Sequence, residues 1–239
     1  VVGLATGVGV WWLYELQQDV VVVASPPDTL EFLVSNPSLL AEHAQVTLIE
    51  SAAGFLLSVV VGLLIGAVLA QSRVANQMFY PWLIAFNAVP KVALAPIVVL
   101  ALGFTMQPRI VMAVLLGFFP VVIATVTGLR STPADLAELA RSLDASRLQA
   151  FVKVRLPNAL PQIFIGLKVA LPLAVIGAVV AELHSGSMGL GYLITQASLN
   201  KPLAFASIVV VSGLSIALYY LLVALERMLL PWVRATTAQ

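Results

Sequence analysis

Long apolar runs separated by short polar breaks dominate this chain, and they lack the two-residue alternation of strands. A membrane-crossing helix needs about 20 mostly apolar residues, each rising about 1.5 Å, to span a hydrocarbon core of about 30 Å. Six segments approach or meet that measure, near 1–16, 46–70, 78–102, 110–129, 163–182 and 203–226. The first is apolar from its first residue and has neither a basic leader nor a small-residue cleavage site. It therefore reads as the remainder of a spanning helix and not as a signal peptide. Backbone polar groups in lipid must be satisfied within the segment or in a closed barrel, and runs this long and non-alternating are not barrel strands. The expectation is an all-α integral membrane bundle of about six transmembrane helices, one domain over 1–239.

Composition points the same way. Of 239 residues, 61% are hydrophobic and 10% charged, where a soluble domain carries about a quarter charged. A net charge of +1 excludes a strongly basic nucleic-acid binder, so no nucleic-acid partner is expected and the placement of charge becomes the signal. The absence of cysteine excludes disulfides and thiolate chemistry, and two histidines, His43 and His184, are too few for a histidine-rich metal site.

Lysine and arginine in short loops stay on the cytoplasmic side. With the first helix running outward, that side collects Arg73, Arg130, Arg141, Arg147, Lys153, Arg155, Arg227 and Arg234, and the other has only Arg109 and Lys201. Both termini are then cytoplasmic, and the acidic segment 15–42, with Asp19, Asp28 and Glu31, is external. Within it, Ser25-Pro26-Pro27-Asp28 predicts a turn into a short interfacial helix.

The one long charged segment between spans, 130–161, is also helix-forming. Thr132-Pro133-Ala134-Asp135 opens a helix through Leu143, Asp144-Ala145-Ser146 breaks it, and Ser146 with Gln149 forms a capping box for a second helix through Phe151 and Val154. Pro157 and Pro161 are expected to close the loop. Two short helices joined by a tight corner make a knob that another protein can grip, or a linker folded on the membrane surface.

Glu138-Leu139-Ala140, Asp144 and Val154-Arg155-Leu156-Pro157 match in spacing the EAA motif of bacterial ABC importer permeases, and the chain resembles that family over nearly its whole length. Leu139 replaces the motif's first alanine and Asp144 its glycine, which puts the corner geometry in question because that corner needs a positive backbone angle. The resemblance implies a type I ABC importer permease fold in a bacterial inner membrane. It implies that the loop is a coupling helix docking into a cytoplasmic ATPase, with Glu138, Ala140, Arg141, Ser142, Asp144, Ala145, Ser146, Leu156 and Pro157 as its residues. The pieces 88–96, 140–143 and 189–192 look like the branch that imports nitrate, sulfonates, taurine, bicarbonate and some vitamin precursors. That branch implies a permease homodimer, two ATPase subunits and an external substrate-binding protein. No Gly-x-x-x-x-Gly-Lys-Ser/Thr phosphate loop occurs, so ATP and magnesium are expected on a separate chain and no cofactor on this one.

For the translocation pathway the candidates are Pro90, Lys91, Pro96 and Glu182. Prolines 90 and 96 should interrupt the third span and free backbone groups toward a cavity. Lys91 there either attracts an anionic substrate or pairs with an acid such as Glu182. Lys168 reads as snorkelling to the cytoplasmic face, and Glu182 reads as an interfacial acid before the glycine-rich stretch 186–191. That stretch is no nucleotide fingerprint, since no strand precedes it. Gly62-x-x-x-Gly66 is a small-residue packing pattern. A secondary transporter would show inverted halves and more intramembrane acids. An embedded enzyme would need a histidine near Ser58, Ser212 or Ser215.

Overall fold

A computed structural model describes residues 2–17, 24–185, 187–196 and 200–232, and among these every regular element is helical. Asp19 and Arg234 lie outside the described residues. The first helix, α1 (Val2–Gln17), is followed by α2 (Pro26–Ser35), whose start is set as the sequence predicts: the Ser25 hydroxyl accepts the Asp28 amide at 3.2 Å. Next, α3 (Pro37–Gln71) is 35 residues long and starts nine residues before the expected span. The apolar criterion counts only lipid-facing length, whereas the first turns of α3 are polar and bury His43 and Thr47 against protein.

The third span is broken, as the two prolines predict. Helix α4 (Arg73–Ala88) stops at Val89, which the following Pro90 holds extended at φ −65°, ψ 130°. A 3₁₀ turn, Lys91–Leu94, leads into α5 (Ala95–Leu102) with Pro96 in its first turn, and the two halves are bent by 75°. After α6 (Met106–Arg130) come α7 (Ala134–Ser142) and α8 (Arg147–Ala150), then a π-helical turn, Phe151–Arg155, that runs into α9 (Leu156–Ser185). Last are α10 (Leu190–Thr195) and α11 (Lys201–Leu229). Among the described residues four helical columns are long and apolar enough to cross a membrane, or five when the bent pair counts as one; α1, described over 16 residues, is shorter than these.

The loop prolines do not close the loop. Arg147–Ser185 is one helical column of 39 residues. The π turn shifts the hydrogen bonding by one residue, the Leu156 amide going to the Phe151 carbonyl, just before Pro157 removes a donor. Pro157 then sits in the first turn of α9, and Pro161 lies inside that helix.

Helix α6 forms the centre, packed most extensively on α9 and α3. Lipid supplies no hydrophobic drive between helices, so close approach through small residues does the work. A Cβ on Gly62 would stand 2.6 Å from the Val121 Cβ, and one on Gly177 would stand 2.5 Å from the Met112 carbonyl oxygen. Below this contact Leu129, Ile163, Phe164, Leu171 and Leu222 form a buried cluster, with Phe151 and Leu156 packed on its edge.

Candidate functional site

At the loop end, α7 closes in a Schellman motif. Asp144 takes the left-handed position, φ 50°, and the Ala145 amide donates back to the Ala140 carbonyl at 3.0 Å. The Ser146 box then forms in both directions: the Gln149 amide donates to the Ser146 hydroxyl at 3.3 Å, and the Ser146 amide donates to the Gln149 side chain at 2.9 Å. Ala140 is buried, whereas Glu138, Ser142, Asp144 and Ser146 are exposed. Arg141 is placed on α7 by its backbone. Leu143 and Leu148 flank the corner, each 72% exposed, on a segment too polar to lie in the bilayer core. Leu156 and Pro157 are half-buried and join this knob to the α9 column.

Midway along the bundle, Lys91 lines a cavity of about 310 Å³ with Asn87, Leu116, Phe119, Pro120 and Leu173. Its ammonium donates to the Asn87 side-chain oxygen and stands 5.6 Å from the Phe119 ring centroid, within cation–π range. Pairing with Glu182 does not occur. Pro120 leaves the Leu116 carbonyl without its ordinary helical donor on the same cavity wall. Lys168 forms an ion pair with Glu226 of α11 and does not reach free for the surface.

The opposite end holds a network that the charge pattern did not reveal. Glu182 is fully buried, not interfacial. It accepts from the Thr47 hydroxyl at 2.7 Å and from the Gly191 amide at 2.6 Å. Thr47 in turn accepts the Leu190 amide at 2.9 Å, and the Gly189 amide donates to the imidazole Nδ1 of buried His43 at 3.1 Å. Gly189 has φ +103°, and a Cβ there would coincide with the Glu182 carboxyl group, so only glycine fits. Beside it Arg109 is 3% exposed and donates to Glu50 and to Ser185, both at 2.7 Å. Glu50 is fully buried, and its second oxygen has no partner among the described residues. Arg109, expected in an external loop, is thus internal, because α6 starts at Met106 and carries it into the bundle. Glu50 carried its own signal as the only charged residue within 46–70, since an intramembrane acid is a site candidate by default. His184 is exposed and bonds the Val180 carbonyl of its own helix.

The family described as binding-protein-dependent transport system inner membrane component matches residues 58–234. A formylaminopyrimidine transport permease protein of Halalkalibacterium halodurans is 37% identical over 201 residues, 82% of this chain and 80% of that protein. A Bacillus subtilis relative named for aliphatic sulfonates transport is 37% identical over 194 residues, 80% of this chain and 70% of that protein. In fold the chain is similar to the inward-facing MetNI methionine ABC transporter, with TM-score 0.66 and 22% identity over 81% of this chain and 95% of that one.

Proposed function

This chain belongs to the binding-protein-dependent transport system inner membrane components, the permease subunits of ABC importers, and from that premise we propose how it works. The knob of α7 and α8 is the handle by which a separate ATPase, carrying ATP and magnesium, moves the spans. Glu138, Ala140, Arg141, Ser142, Asp144, Ala145 and Ser146 form or shape the handle, and Leu156 and Pro157 pass its movement on. The observation that carries this reading is continuity. The handle does not hang on a flexible linker: its α8 is the start of the 39-residue column that runs on through α9, so force on it becomes displacement of a span. Exposed Leu143 and Leu148 give a partner an apolar grip.

Both termini lie on the ATPase side, an external binding protein delivers the cargo at the opposite face, and a second copy of the chain completes the pathway. Lys91, set in the break between Pro90 and Pro96, contacts the cargo, and Glu182 holds the outer end while the halves rock. The cargo is a small anion such as a sulfonate, taurine or nitrate. A cation at the cavity and the sulfonates-named relative support this. A second reading, an uncharged vitamin precursor, draws on the formylaminopyrimidine permease.

Co-purification in detergent with the candidate ATPase, followed by ATP hydrolysis and uptake in proteoliposomes, tests the reading. Glu138→Ala and Leu143→Asp should leave the chain folded yet lose the complex, or at least about tenfold of the transport-linked hydrolysis. Wild-type coupling in both variants would sink the assignment. Competition of uptake by taurine against a formylaminopyrimidine then separates the two cargo readings.

A further inference from the structure

Two adjoining cavities, about 410 and 470 Å³, lie where α3, α6 and the loop column leave the bundle, and they share Gln71, Thr132 and Arg155. Arg147 adds to one and Arg73 and Arg130 to the other, so four arginines line the pair, and no aspartate or glutamate does. None of the four has a carboxylate partner among the described residues. Arg130 is held in place by donating to the Leu69 carbonyl at 2.8 Å. The Thr132 hydroxyl, on the wall common to both cavities, is buried with no partner among the described residues.

We infer that this paired cavity binds a phosphate group, and that its source is the headgroup of an anionic phospholipid. A guanidinium presents a planar fork of donors that fits phosphate oxygens, and several converging forks without a counter-charge make an anion site. Its apolar flank favours a lipid. Arg73 opens α4, and Val74 beside it and Met78 a turn further on are exposed apolar side chains suited to an acyl chain. Basic pockets between spanning helices at the cytoplasmic level recognise lipid headgroups in this way. Ala140 and Ala145 of the knob form part of the wall, so a bound phosphate ties the base of the knob to the turn between α3 and α4. This goes beyond the coupling reading, since the site stands whether or not an ATPase grips the knob.

Native mass spectrometry of the full chain, released from nanodiscs of equal phosphatidylcholine and phosphatidylglycerol, tests it. Retained phosphatidylglycerol should exceed phosphatidylcholine by about tenfold. Arg73→Gln with Arg155→Gln should bring the two to parity at an unchanged melting temperature. Arg227→Gln, at the end of α11 and outside the cavities, should change nothing. If the double variant fails to fold, Arg155→Lys supplies the second measure, with charge kept and part of the preference lost. Inorganic phosphate added to pure phosphatidylcholine discs separates the sources: binding there that Arg155→Gln abolishes, without lipid preference, assigns the site to a free phosphate. Parity in the wild type with no phosphate binding, or an equal loss in Arg227→Gln, overturns the proposal.

Discussion

The two ends of the bundle are shaped by opposite means. At one end Glu50, Arg109, Glu182, Thr47 and His43 reach across α3, α6, α9 and the start of α10, and all of them are buried. At the other, the knob is shaped by bonds between residues no more than five apart, the Ala145–Ala140 closure and the Ser146–Gln149 box, and Asp135, Glu138, Asp144 and Arg147 on it are exposed. Long-range buried pairs fix one element against another, because separating them strands a charge in a low-dielectric interior. Local exposed bonds fix only the shape of the piece they close. A bundle built this way has one end whose elements are tied to one another and one whose shape is closed within itself, which is what the proposed handle requires.

Removing one charge at the buried end should break the comparison hardest. Arg109→Met leaves Glu50 buried without its ion-pair partner and should cost about 3–5 kcal/mol, read as a large fall in the melting temperature in detergent. Glu50→Leu in the same chain should restore much of it, since an apolar pair of similar volume is often no worse than a buried ion pair. A full-strength melt for Arg109→Met alone would mean that the network contributes no hold.

Gly189→Ala comes next. The new methyl group meets the Glu182 carboxyl, and the backbone stands at φ +103°, where an L side chain is strained. Either α10 lifts or Glu182 loses the Gly191 amide, at about 1–3 kcal/mol. Hydrogen exchange should quicken at the amides of Leu190 and Gly191 and stay unchanged at Ala145, a split that an overall loosening would not produce.

The same contrast decided what the sequence could reveal. Local signals were legible: Ser25 and Ser146 marked helix starts, Pro90 and Pro96 a break, and Gly62 and Gly66 a close helix contact, because each acts through neighbours in the chain or on one helix face. The loop prolines misled, because their cost depends on whether the backbone offers a compensating turn, and the π turn at Phe151–Arg155 supplies one. The buried network was out of reach for another reason. Nothing in the neighbours of Arg109 shows that it faces Glu50, 59 residues away, and charge counting by loop assigns any arginine near a helix end to water. Glu50 was visible as a lone acid in an apolar helix, but its partner was not.

The smallest effect is expected at the corner itself. Asp144 occupies the left-handed position at which the EAA motif has glycine. A left-handed L-residue costs about 1–2 kcal/mol, and aspartate stands among the residues that tolerate it best. Glycine would remove that strain but lose about 0.5–1 kcal/mol through the freedom it gains in the unfolded chain. The two nearly cancel, so Asp144→Gly should shift stability by less than about 0.5 kcal/mol and leave ATPase coupling intact. Asp144→Val separates strain from side-chain chemistry, because a β-branched residue is a true outlier at positive φ. There the Ala145–Ala140 bond should open, seen as faster exchange at the Ala145 amide, while the melting temperature stays within a few degrees because the knob carries little of the fold. A melting temperature for Asp144→Val as low as that of Arg109→Met would erase the distinction between a local handle and a long-range lock.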